Sequence, residues 1–181
     1  INVLAQTETK IVQSKRGPLS LSNIFKLWDS LQNHIGNEVV NRFLSLLGHT
    51  TYFTGTTCVF ETELIRDQGL PDSITEDTYL TYQMFSRGEK ISYNANSGSY
   101  EEMAPDVFSY IARRRRWSCG HNQTLKDFCF KIISLDGFSL REKSQMAFHL
   151  FFYFLPVVIW VQQLFYGLYF SFQYSRNVQY F

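Results

Sequence analysis

From Met146 to about Phe172 the chain is almost continuously apolar or aromatic, longer than the roughly 20 residues a helix needs to cross a bilayer. His149, Pro156, Gln162 and Gln163 interrupt the run. Proline and isolated amides are tolerated in a span when neighbouring helices satisfy them, so other transmembrane helices are implied as partners. A buried helix of a soluble protein is the competing reading, and the length of the run favours the membrane. Lys126, Lys131, Arg141 and Lys143 precede the run, which places the N-terminal body on the cytoplasmic side of a plasma or inner membrane. Aromatic residues make up 17% of the chain, and many of the phenylalanines and tyrosines fall in its last third. That skew separates a soluble-looking body from a lipid-facing tail.

With 181 residues the chain is long enough for one domain with a sizeable core. A formal net charge of +1 gives no global signal for nucleic acid; the basic character is local. Cys58, Cys119 and Cys129 are odd in number, widely spaced and without a CxxC pair. This argues against a disulfide framework or a zinc site and for a reducing compartment. The chain opens at Ile1 without a methionine or a leader-like segment and is expected to be an excerpt of a longer protein.

Ile1 to Gln6 is apolar enough for a strand. Ile24, Phe25, Trp28, Leu31 and Ile35 recur at helical spacing, and after an expected interruption at Gly36 the pattern resumes through Val39, Val40, Phe43, Leu44 and Leu47. Tyr52 to Phe60 reads as a strand or tight loop around Gly55. Asp72 to Asp77 has the chemistry of a helix start, with Tyr79, Leu80, Met84 and Phe85 as the apolar face and Gly88 as the stop. Lys90 to Asn94 alternates like a strand, and Pro105 opens a helix bearing Val107, Phe108, Ile111 and four arginines. Leu125, Phe128, Cys129 and Ile132 share one helical face opposite Lys126, Asp127 and Lys131, the pattern of a helix lying among lipid headgroups. Asp136-Gly137 ends it, and Ser139 with Glu142 three residues on forms a capping box ahead of the apolar run.

Two clusters have chemical potential. Glu76 and Asp77 at a helix start are, taken alone, ordinary first-turn residues. As a pair they also suit general-base work, because a carboxylate neighbour and burial raise the pKa of the one that faces a pocket; Asp77 is the favoured base. Arg113-Arg114-Arg115-Arg116-Trp117 is, in isolation, a solvated or membrane-surface basic face. Guanidinium forks also match phosphate oxygens, and an indole offers a flat surface to the C–H face of a sugar ring.

In order along the chain, Phe53-Thr54-Gly55-Thr56, Thr75-Glu76-Asp77 and Arg113-Arg114-Arg115-Arg116-Trp117 with Gly120 resemble the membrane-bound branch of glycosyltransferase family 2. That branch includes cellulose synthase and hyaluronan synthase, with an F-x-G-T-like loop, a TED motif and Q/R-x-x-R-W ahead of an interfacial helix and membrane spans. The resemblance covers nearly the whole chain. It implies an α/β class chain: part of a GT-A, Rossmann-like nucleotide-sugar-binding domain over residues 1–122, an amphipathic interfacial segment over 123–145, a transmembrane helix over 146–172 and a tail over 173–181. By the same resemblance Asp77, supported by Glu76, is the base, and Arg113 and Arg116 hold the donor diphosphate. Trp117, Gly55, Thr56 and Thr75 border the acceptor, and Glu102 lies behind them.

The resemblance further implies inversion at the anomeric carbon, a nucleotide-sugar donor, a saccharide or lipid acceptor, contact with membrane lipids and a divalent cation, magnesium or manganese. The cation's ligands are expected upstream of residue 1, because no D-x-D occurs between Ile1 and Gly120. Arg113 stands where the motif commonly has glutamine. Two rival readings remain: a non-catalytic membrane subunit for polysaccharide binding or assembly, and a basic surface module for membranes or nucleic acid. The near-zero net charge and the single aromatic beside the arginines argue against nucleic acid.

Overall fold

A computed structural model describes residues 9–178. The expected strand at Ile1 to Gln6 lies outside them. Three strands form one mixed sheet in the order β2-β1-β3. The central strand β1 (Ile11–Pro18) runs antiparallel to β2 (Cys58–Phe60) and parallel to β3 (Ile91–Glu101), with an irregularity between Ser14 and Lys15. β3 begins where the alternation from Lys90 predicts and continues seven residues past Asn94, the predicted end, because pairing to β1 supplies the ladder that its polar sequence does not advertise. This mixed α/β arrangement is consistent with part of a GT-A domain.

The first helical stretch comprises α1 (Ile24–His34), a π-helical segment Ile35–Val40 and α2 (Asn41–Leu46). Gly36 therefore does not break the helix; the chain widens there into π turns and continues. Most of the apolar stripe read from sequence points outward: Ile24, Leu31 and Ile35 are exposed and Trp28 is 53% exposed, whereas Leu44 of α2 is buried in the core. Buried alongside Leu44 are Asp29, Ser30, Asn33, Asn37, Glu38 and Asn41, each polar. Groups from other segments compensate them, as when the Asn41 carboxamide pairs with both backbone groups of Tyr52.

The core lies between the sheet and the helices α4 (Glu76–Ser86), α5 (Val107–Phe128) and α6 (Leu140–Phe151); a short α3 (Thr62–Gln68) precedes α4. Leu80, Tyr82, Met84 and Phe85 of α4 pack with Ile11, Ile91, Phe128, Ile132, Met146 and Leu150. Two expectations need correction. The face containing Phe128 and Ile132, assigned from sequence to lipid, is buried in this core, and α5 runs unbroken from Val107 through residue 122 to Phe128. The apolar run also divides. Met146 and Leu150 are fully buried residues of α6, and among the described residues only α7 (Leu155–Val178) is long and apolar enough to cross a membrane, over Leu155–Ser175. Pro156 explains the break at residues 152–154: it lacks the N–H that would bond to Phe152, and its ring would crowd that carbonyl. None of the candidate span is buried within the chain.

The capping box at Ser139 is formed in full. Burial alone would raise the Glu142 pKa, but the Ser139 N–H and hydroxyl, the Lys90 ammonium at 3.0 Å and the Thr50 N–H hold it down to about 2. Glu142 thus ties α6 to the loop before β3 and to the loop after α2. Glu142→Ala is expected to destabilise the chain by about 1–3 kcal/mol, since it removes a cap and leaves buried donors unpaired. Because the folded-state pKa is depressed, this stabilisation is present above the ordinary carboxylate pKa and is lost as pH falls through about 2. Thermal melts of both proteins across that range should converge in acid; an unchanged gap would contradict the assignment.

Candidate active site

Thr75, at the N-terminal cap of α4, sits directly against Gly120 of α5. A Cβ at Gly120 would fall inside the van der Waals shell of the Thr75 side chain, so only glycine permits this approach of α4 to α5. Gln123, one turn further, accepts hydrogen bonds from the Ser73 hydroxyl and the Ile74 N–H. The Tyr79 hydroxyl reaches Asp127 at 3.1 Å. The acidic tripeptide is thereby fixed to the helix that bears the arginines and Trp117.

Asp77 follows in the first turn of α4, half-buried, with Glu76 exposed beside it. Its carboxylate lies under the turn at Gly55: a Cβ built there would be 3.0 Å from Asp77 Oδ2. Gly55 has φ +92°, a conformation that side chains disfavour, so both backbone and space call for glycine. The turn is tied down by Thr81, which donates to the Asp77 carbonyl and accepts from the Phe53 N–H, and by Gln13, which accepts from the Thr54 N–H. Burial raises the Asp77 pKa above the ordinary carboxylate value, and Glu76 adds to this, while the Thr78 N–H and the Arg16 guanidinium oppose it. A carboxylate so placed is a poised proton acceptor.

The four arginines divide two and two. Asp29 of α1, with 0% exposure, binds Arg113 at 2.6 Å and Arg114 at 3.0 Å and also accepts from the Ala104 N–H. Arg113 donates a further bond to the Glu102 carbonyl. Arg114 stacks over Trp117 at 4.5 Å and over Tyr110 at 5.1 Å. Arg115 and Arg116 are exposed, and neither has an ion pair among the described residues. His121 orients the turn at Trp117 through the Trp117 carbonyl, 3.1 Å from its Nδ1, and packs edge-on against Tyr153 at 4.7 Å. Burial lowers the His121 pKa to about 4, so the ring is neutral at physiological pH.

Gly55 therefore meets Asp77, Thr75 packs against α5 one turn beyond Trp117, and Arg16 reaches Thr56, so these residues border one stretch of the surface near Arg113. Glu102 turns its carboxylate away to Lys26 at 2.5 Å, and the neighbouring Glu101 points inward instead, to Arg16 at 3.3 Å. Arg16, Glu101, Asp29 and Tyr153 were not singled out in the sequence; none belongs to a recognisable spacing. Among the described residues, four buried side-chain polar atoms have no protein partner: Arg16 Nε, Thr54 Oγ1, Thr75 Oγ1 and Arg114 Nε. All four border this neighbourhood, as expected of groups that bind a polar ligand. A surface hollow of about 570 Å³ along α7 between Val158 and Tyr169 is apolar and includes none of them. No cluster of three or more His, Cys, Asp or Glu side chains able to hold a metal ion occurs among the described residues.

A family model described as glycosyl transferase family group 2 matches residues 1–176, nearly the whole chain. No curated protein matches significantly.

Gly120→Ala should push α4 off α5, cost about 1–3 kcal/mol and disable the site, whereas Gly167→Ala in α7, where a Cβ meets nothing within 4 Å, should be neutral. Melting temperatures of the two variants check this; a Gly120→Ala protein as stable as the unaltered one would contradict the packing.

Proposed function

The chain belongs to glycosyltransferase family 2, and from that premise we propose that it is the acceptor-activating part of an inverting, membrane-bound hexosyltransferase that uses a nucleotide sugar. What supports this reading is that Asp77 lies under the Gly55 turn while Thr75, two residues before it, packs against Gly120, one turn beyond Trp117. Asp77 takes the proton of an acceptor hydroxyl. The freed oxygen bonds to the anomeric carbon as the bond to the diphosphate breaks, and the diphosphate leaves with the electron pair. Attack opposite the leaving group inverts the configuration.

Arg116, exposed and without an ion pair among the described residues, supplies positive charge to the departing diphosphate. Arg113 contributes the N–H groups that Asp29 and the Glu102 carbonyl leave free. Trp117, its indole stiffened by Arg114, offers its face to the acceptor sugar, with Gly55, Thr56 and Thr75 around the attacking hydroxyl. Glu76 acts on Asp77 through its charge. Glu102 braces the site from behind through Lys26 and through its carbonyl's bond to Arg113. Members of the family commonly use divalent cations, and magnesium or manganese would help neutralise the diphosphate.

The same reading places the chain in a membrane with its catalytic part cytoplasmic. α7 is the span, in contact with lipid and other transmembrane helices. Phe130, Ile133 and Leu140 are 85%, 77% and 80% exposed, with Lys131, Arg141 and Lys143 beside them. These three apolar side chains, rather than Phe128 and Ile132, dip into the headgroup region.

Membranes bearing the full protein should transfer label from one of UDP-glucose, UDP-N-acetylglucosamine or GDP-mannose, giving a product of anomeric configuration opposite to the donor. Retained configuration would reject the mechanism. The rate should fall as pH drops through the raised Asp77 pKa, and Glu76→Gln should move that limb to lower pH, because removing a negative neighbour favours the charged base. An unmoved limb would exclude Asp77 as the titrating group.

A further inference from the structure

Arg16 is a charged side chain near the end of β1, where only β3 pairs with that strand; it is only 9% exposed, and its Nε has no partner among the described residues. One terminal nitrogen reaches Glu101 Oε2 and Thr56 Oγ1, each at 3.3 Å. Burying a guanidinium is costly unless its donors are used, so an unused Nε marks a direction in which a ligand is expected.

The surroundings indicate which ligand. Arg16 is in register with Ser99 on β3, and Glu101 lies two residues further, so all three share one face of the sheet. Thr57, held at φ +56°, bonds its hydroxyl to Ser99 and follows Thr56 directly. The resulting wall runs from Glu101 through Arg16, Ser99, Thr57 and Thr56 to Gly55, and Gly55 covers the Asp77 carboxylate. The Arg16 charge is already balanced by Glu101, which makes the pair a poor phosphate anchor. An ion pair flanked by three hydroxyls presents instead a neutral, alternating set of donors and acceptors, the pattern that reads sugar hydroxyls. Arg116 and Arg115, without an ion pair among the described residues, remain for the phosphates.

We propose that the Arg16–Glu101 pair, with Thr56 and Ser99, forms a sugar-hydroxyl-binding subsite beside Asp77. This rests on the transferase reading above and names which residues hold the sugar. The ring it holds belongs either to the acceptor or to the donor's transferred hexose.

The full protein in detergent is assayed by nucleotide release from the same three donors, with cellobiose or chitobiose as added acceptor. Arg16→Lys keeps the charge and loses the fork, and Glu101→Gln keeps the shape and loses the charge. Both should raise KM for one sugar substrate about tenfold or more, with kcat little changed and inhibition by free UDP or GDP unaltered. A rise confined to the disaccharide assigns the subsite to the acceptor, and one confined to the nucleotide sugar assigns it to the donor hexose. KM values for both substrates within about twofold of the unaltered protein, or a loss of UDP or GDP inhibition, would overturn the proposal. Where both variants lose their melting transition, Ser99→Val at an exposed position of the same wall decides: a raised KM supports the subsite and an unchanged one overturns it. Absence of transfer by the unaltered protein would overturn the transferase reading itself, an outcome distinct from an active enzyme whose variants bind sugar normally.

Discussion

The approach of Thr75 to Gly120 is the contact on which the site depends. Had α5 a side chain larger than hydrogen at that position, the N-terminus of α4 would stand off by an atomic diameter, and Asp77 with it. Because the approach is made, the first turn of α4 is held on three sides: by α5 through Gly120 and Gln123, by the Gly55 turn above the carboxylate, and by its own Thr81. A half-buried carboxylate pinned in this way keeps its raised proton affinity and its direction, the two properties a general base requires.

The second constraint is Asp29. A fully buried carboxylate is tolerable only with strong partners, and two guanidinium groups and a backbone N–H supply them. This one side chain sorts a run of four identical residues into two that it holds and two exposed ones. It also explains why α1 turns its polar side inward. The interior next to α5 demands an anion, and the apolar stripe is left outside as the consequence.

The α4 helix, the capping box at Ser139 and the start of β3 were legible because each rests on local chemistry: first-turn acids, a Ser–Glu spacing, an alternation. That Gly55 lies over Asp77, and that Thr75 packs one turn beyond Trp117, was signalled only by the order of three motifs. The strand bearing Arg16 was not, since Ile11-Val12-Gln13-Ser14-Lys15-Arg16 alternates poorly and owes its form to partners on both sides. The outward stripe of α1 and the burial of Phe128 and Met146 were misjudged for one reason. Periodicity reveals that a face exists, but what covers it is a tertiary fact. Pro156, noted only as a blemish, was the signal that separated α6 from the span.

Asp77→Asn in the full protein tests the central claim most directly, since the substitution preserves shape while removing the proton acceptor. With nucleotide-sugar binding and sugar transfer measured on the same preparation, we expect donor affinity to stay within a few-fold and transfer to fall by roughly 10²-fold or more. Transfer at the unaltered rate by a folded Asp77→Asn protein would show that the proton goes elsewhere and would contradict the account.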